Sequence, residues 1–172
     1  MKLISLSINN IASIPSAFID FTAEPLASAP VYLISGNTGA GKSTILDSIC
    51  LALYANTPRL QRLAEAGHKS VETEDGNKYT DSRAMARLDA VQASAELCFI
   101  GNDGVRYKAT WATARPYKKA DRPFRAHTHT LEFTVNGNTT VLEKVAQVRE
   151  QVERAVGLDF KKFCRTTMLA QG

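Results

Sequence analysis

Residues 36–43 read Gly-Asn-Thr-Gly-Ala-Gly-Lys-Ser, the pattern G-x-x-x-x-G-K-[ST]. An apolar run, Val31 to Ile34, comes immediately before it, and a helical pattern starting near Lys42 comes immediately after. Strand, glycine-rich loop and helix in that order are the setting that turns a short motif into a phosphate site. Gly36, Gly39 and Gly41 let the backbone reach positive φ and approach a ligand closely. The loop N–H groups then converge at a helix N-terminus as an anion cradle. Lys42 supplies a point charge for β- and γ-phosphates, and Ser43 a hydroxyl for Mg²⁺, a hard ion that prefers oxygen. The bland alternative is a glycine-rich turn that binds nothing; the flanking strand and helix argue against it.

The rest of the chain bounds the answer. Its 172 residues, 44% hydrophobic and 22% charged, suffice for one folded domain with a sizeable core. No apolar stretch approaches the ~18 residues of a membrane span, so no membrane role is expected. Met1 to Asn9 alternates apolar and polar residues and reads as a strand rather than a secretory signal, which makes the cytoplasm the expected location. Cys50, Cys98 and Cys164 are far apart, odd in number and without a C-x-x-C pair, so they read as buried reduced thiols. His127 and His129 would share a strand face, but no third ligand accompanies them, and an exposed strand face with two histidines is expected rather than a metal site.

Along the chain, Lys2–Ile8 and Ala17–Phe21 read as strands, and Val31–Ile34 as a strand buried on both faces. After the loop, Ile45, Leu46, Ile49, Cys50 and Leu53 fall at three- and four-residue spacing, a core-facing helical stripe that should end before Pro58. Residues 58–90 are polar and irregular, with room for one or two short helical turns or a lid. Val91–Ile100 and Val105–Thr113 flank the turn Asn102-Asp103-Gly104, and a second hairpin runs from Thr130 through Asn136-Gly137 to Leu142. Glu143–Val156 is an amphipathic helix with Val145, Val148, Val152 and Val156 on one face, closed by Gly157. Phe160–Gly172 is a short apolar tail. Two strands precede the phosphate loop and antiparallel hairpins follow its helix. That order favours an α/β P-loop NTPase of the ABC-type ATPase kind, with a mixed sheet and added antiparallel strands; this is a fold-level analogy.

The segments MKLISLSINNIASI, IDF, GNTGAGKSTILDSICLALYANTPRL and DFKKFCRTTMLAQG carry a closer likeness. The chain resembles the N-terminal ATPase lobe of the SbcC family, bacterial DNA-repair ATPases related to the structural-maintenance-of-chromosomes proteins. The resemblance covers both ends and the loop, and is loose from about 61 to 90. It implies that Gly36, Asn37, Thr38, Gly39, Ala40, Gly41, Lys42, Ser43 and Thr44 hold the phosphates of ATP. It also implies that Gln171, in LAQG, is a glutamine that helps coordinate Mg²⁺ and position the attacking water, and that Asn10–Ser13 pass close to the nucleotide. Ala12 stands where relatives usually carry Asn or Arg, so no side-chain contact to the nucleotide is expected from it.

An ABC-type ATPase also needs an apolar strand ending in Asp-Glu and a Ser-Gly-Gly signature. Neither occurs here. The nearest candidate, Leu97–Asp103, ends on an aspartate in a hairpin turn, and Asp103 is rejected as a metal ligand. In SbcC proteins these parts lie in a C-terminal lobe beyond a long coiled coil. Residues 1–172 are therefore expected to be one half of an ATPase head. The implied partners are that C-terminal lobe, a second head, a separate SbcD-type nuclease and DNA.

Arg106 to Arg125 holds Arg106, Lys108, Arg115, Lys118, Lys119, Arg122 and Arg125 against the single acid Asp121, a net +6 in a chain whose total is +4. Tyr107, Trp111, Tyr117 and Phe124 are interleaved. Such a cluster attracts phosphates, and these seven basic residues are the DNA-contact candidates. Alternation places Tyr107, Ala109 and Trp111 on one side, expected to support the core, and Arg106, Lys108 and Thr110 on the other. Two other classes remain open at this point: a stand-alone P-loop kinase with residues 61–90 as its lid, and a non-enzymatic DNA-binding module built on Arg106–Arg125.

Overall fold

The computed structural model describes residues 1–29, 31–68, 71–73, 77–119 and 121–166. The chain opens with β1 (Lys2–Ile11) and β2 (Ile14–Asp20), an antiparallel pair joined by a tight turn; Ala12 in the turn and Asn10 near the end of β1 take positive φ. The phosphate loop then leads into α1 (Lys42–Tyr54), followed by α2 (Pro58–Glu65). Thr57 accepts the Leu60 N–H at 3.1 Å and Pro58 occupies the first turn, so α2 starts where capping chemistry dictates. A short 3₁₀ turn at Ser82–Met85 precedes β3 (Gln92–Ile100) and β4 (Arg106–Ala114). β5 (Thr128–Val135), β6 (Asn138–Leu142), α3 (Val145–Val156) and α4 (Phe160–Thr166) complete the order.

The strands form one six-stranded sheet in the order β2-β1-β3-β4-β5-β6. Strict alternation decides its faces. Ala93, Ala95, Leu97 and Phe99 of β3, with Tyr107, Ala109 and Trp111 of β4, are buried, whereas Ser94, Glu96, Lys108 and Thr110 between them are half-exposed. α1 covers the buried face over β1, β3 and β4, and α3 covers β5. The expected side of each residue in β4 is the observed one.

Three expectations change. First, the α/β P-loop lobe has its antiparallel strands, but among the described residues every pairing of the sheet is antiparallel and none is the parallel pairing a mixed sheet would need. Second, Val31–Ile34 is not a strand. Val31 is 80% and Leu33 90% exposed, while Tyr32 leans inward and its ring meets that of Phe21 at 5.3 Å. The segment keeps its apolar alternation, but no described strand pairs with it, and a parallel neighbour is what a mixed sheet would require. Third, α1 is buried on all sides from Asp47 to Leu53 rather than along one stripe. It is packed between the sheet and the later helices, which also explains why two polar residues, Asp47 and Ser48, lie inside.

Candidate functional site

Gly41 caps α1 at φ 90°, and no side chain caps that end. The first-turn amides of a helix have no intrahelical acceptor, so an uncapped N-terminus is a standing site for an anion. Gly36 and Gly39 also take positive φ, at 151° and 86°. Residues 35–40 are exposed, and a Cβ on Gly39 would meet nothing within 4 Å. The loop therefore faces open space. Lys42 folds back over it: its ammonium donates to the Gly36 carbonyl at 2.6 Å and the Asn37 carbonyl at 2.8 Å. An ammonium has three donors, so this geometry holds the charge above the loop and leaves capacity for a further acceptor. Ser43 is exposed at the first turn, and Thr44 is buried. The donor set fits a polyphosphate, and the Ser43 hydroxyl fits a hard cation.

The β1–β2 turn supports this end of α1. Ser13 Oγ lies 3.2 Å from Thr44 Oγ1, and a Cβ on Gly41 would come within 3.1 Å of Ile14 Cγ1. The turn is itself held by the Ala12 N–H donating to Met85 O at 2.7 Å. Ser13 and Ile14 thus sit against the first turn of the loop's helix. Gln171 lies outside the described residues.

Two features were not legible in the motif. Asp47, one turn after Ser43, is buried, with Arg59 of α2 3.1 Å from Oδ2. The contact is an ion pair by distance, but Oδ2 accepts no well-aligned hydrogen bond. Burial pushes the Asp47 carboxyl up to about 6 against the opposing pull of Arg59 and Arg62. At the other end of α1, His129 Nε2–H donates to Ala52 O at 2.9 Å, satisfying a carbonyl of the last turn, where helices leave such groups orphaned. Burial holds His129 below the usual histidine range. His127 instead meets Ser82 Oγ at 3.2 Å, the hydroxyl that also accepts from Trp111 Nε1 at 3.1 Å. The exposed two-histidine face that was expected is therefore not present: His129 is buried and His127 half-buried, each turned to a partner inside the fold. No cluster of three metal-ligating side chains exists among the described residues. Asp103 accepts from Val105 N–H at 3.0 Å and Tyr107 Oη at 2.7 Å, a turn residue as expected.

The basic segment does not act as one cluster. Arg115 is 3% exposed: it donates to the backbone carbonyls of Ala90, Leu88 and Arg122 and lies 4.1 Å over the Phe124 ring. It is a structural residue and not the DNA-contact candidate that was expected, because a buried guanidinium held by three backbone carbonyls is not free to reach a phosphate. Lys108 pairs with its cross-strand neighbour Glu132 at 3.0 Å, which offsets its charge. Arg106 stands at the far end of β4, about 27 Å from Ala114 at strand rise. That leaves Lys119, Arg122 and Arg125 exposed together on the loop after β4; the Lys118 side chain lies outside the described part. Arg125 borders a shallow concavity of about 410 Å³ with Asn9, Ser94, Thr113 and Thr128. Asn9, Ser94, Ala112 and Thr128 are successive cross-strand partners, so this loop lies at the same end of the sheet as the β1–β2 turn, roughly 14 Å across three strand spacings. No helix among the described residues is long and apolar enough to cross a membrane.

Residues 5–171 match the family described as AAA domain. The chain is 39% identical over 172 residues, 99% of its length, to the SbcC component of nuclease SbcCD from Pseudomonas aeruginosa. It is 40% identical over 173 residues, 100% of its length, to the same component from Rhodobacter capsulatus. It is 29% identical over 161 residues, 90% of its length, to a probable DNA double-strand break repair Rad50 ATPase of Aquifex aeolicus. It spans 14% of each of the first two relatives and 12% of the third. The chain belongs to the AAA domain family, as an SbcC-like P-loop ATPase lobe.

Proposed function

We propose that this chain is the ATP-binding lobe of a DNA double-strand-break repair ATPase whose head closure on ATP regulates a partner nuclease at DNA ends. The observation that carries the reading is the loop Gly36–Ser43 on the uncapped N-terminus of α1, inside a lobe similar over its full length to the SbcC component of nuclease SbcCD. Gly36, Asn37, Thr38, Gly39, Ala40 and Gly41 offer backbone donors to the phosphates, with Thr44 behind them. Lys42 exchanges its loop carbonyls for phosphate oxygens. Ser43 and Gln171 would hold Mg²⁺, which when bound would neutralise the charge of the phosphates. Gln171 also orients the attacking water.

The lobe lacks an Asp-Glu strand and a signature segment, so hydrolysis needs a C-terminal lobe and a second head. The exposed alternation of Val31 and Leu33 supports such a docking, because a partner strand laid there would bury both. Lys119, Arg122 and Arg125 contact DNA phosphates in this reading, while the nuclease chemistry belongs to an SbcD-type partner. The test is to supply a C-terminal lobe in trans. Mg-ATP should bind to the chain alone without turnover, and hydrolysis should begin when the lobe is added. Full turnover by the chain alone would overturn the reading.

A further inference from the structure

Cys50 lies on α1 with no exposed surface, and Cys164 lies half-buried on α4. Helix register brings them together. Cys50 and Tyr54 are four residues apart on α1, and Phe160 and Cys164 are four apart on α4, so each pair shares a helix face. The Tyr54 ring meets Phe160 at 5.6 Å and Phe163 at 5.4 Å, and Tyr54 Oη donates to Leu158 O at 3.0 Å. These contacts seat the start of α4 on the C-terminal turn of α1. One turn onward along α4 and one turn back along α1, Cys164 and Cys50 come to face each other as neighbouring thiols. The neighbouring Cys164 raises the Cys50 thiol, with burial adding to the effect, and the neighbouring Cys50 lowers the Cys164 thiol. The more accessible sulfur is thus the more readily ionised one, the arrangement an attacking cysteine needs. Cys98 sits on the opposite face of the sheet, between the buried Leu97 and Phe99.

We propose that Cys50 and Cys164 are an oxidant-responsive dithiol that closes to a disulfide and fastens α4 to the helix carrying the phosphate loop. The oxidant is a hydroperoxide. The Cys164 thiolate attacks the peroxide oxygen, the O–O bond breaks, and hydroxide leaves, giving a sulfenic acid on Cys164. The Cys50 sulfur then attacks the Cys164 sulfur; the S–O bond breaks, and the Cys50 proton leaves with the hydroxyl as water. Each sulfur is oxidised by one electron equivalent and the peroxide is reduced by two. A thiol reductant reverses the bond, which suits a transient link in a reducing compartment. The proposal is independent of nucleotide binding, since its readout is mass.

The experiment treats the full 172-residue chain with hydrogen peroxide, denatures it, blocks free thiols with iodoacetamide and weighs it. The label count should fall from three in the reduced chain to one after peroxide, return to three with dithiothreitol, and map to Cys98. A Cys98→Ser variant should fall from two labels to none, and a Cys164→Ser variant should keep its two labels after peroxide. Three labels after peroxide, over-oxidation of Cys164 with Cys50 still labelled, or a bond running through Cys98 would each overturn the proposal.

Discussion

Ser13 Oγ sits 3.2 Å from Thr44 Oγ1, so the β1–β2 turn is fastened to the first turn of the helix that carries Lys42. The phosphate loop is therefore braced from the sheet as well as by its own glycines. Gly41 is the tightest point of that brace: its φ is 90°, and a Cβ there would come within 3.1 Å of Ile14 Cγ1 and 3.4 Å of Ser13 Oγ. Gly41→Ala combines left-handed backbone strain with displacement of the turn, and should cost about 1–2 kcal/mol. Denaturant unfolding measures the cost; an unchanged midpoint would show that the turn does not brace the loop.

The two kinds of arginine in the basic segment should separate cleanly. Arg115→Ala leaves three backbone carbonyls without their donor, that of Ala90 buried, and removes a buried side chain, so it should destabilise the fold by about 3 kcal/mol. Arg122→Ala and Arg125→Ala, both exposed, should leave the unfolding midpoint within about 0.5 kcal/mol. Each should also weaken DNA binding and flatten its salt dependence by about one unit of slope per lost phosphate contact. Thermal unfolding and salt-titrated DNA binding on the same variants distinguish the two roles.

Asp47 gives the chain a pH signature. Its carboxyl is raised from about 3.8 to about 6 by burial, so between these values the folded chain holds a proton that the unfolded chain has released. Stability from this group is present below the lower value and falls as pH rises to the upper one. Asp47→Asn removes the dependence. Relative to wild type it should gain stability between about pH 4 and about pH 8, by at most about 3 kcal/mol. Denaturant unfolding of both proteins at the two pH values checks the sign; a variant that loses ground as pH rises would show that the Arg59 pair outweighs burial.

His129→Ala leaves Ala52 O without its donor inside the core and opens a void beside Trp111's strand. A loss of about 2–3 kcal/mol is expected. Urea unfolding gives the number, and zinc addition should not restore it, since the ring serves a helix end rather than a metal.

Much of this architecture was written in local patterns. The hairpin turns at Asn102-Asp103-Gly104 and Asn136-Gly137, the alternation of β4, and the Gly157 stop of α3 each depend on neighbours in sequence, and all hold. The phosphate loop was legible for the same reason. What local pattern could not give was anything settled by distant packing. Val31–Ile34 has a strand's composition, but a strand needs a partner, and none of the described strands offers one. Arg115 reads as one more charge in a basic run until Leu88, Ala90 and Arg122 are seen to close around it. His129 looked like half of a surface pair because nothing nearby reveals that it meets the end of α1, 77 residues away. Asp47 belongs to no motif, and only the packing around α1 from Asp47 to Leu53 shows that it is buried.

The central claim is that the loop Gly36–Ser43 holds a nucleotide through Lys42. Isothermal titration of Mg-ATP into the wild-type chain and into Lys42→Ala tests it most directly, with circular dichroism to show that the exposed-loop change leaves the fold intact. Saturable binding to wild type, weakened at least about tenfold by removal of a charge-assisted contact worth roughly 1.5–3 kcal/mol, is the predicted result. Equal affinity of the two proteins, or no saturable binding to the wild type, would contradict it.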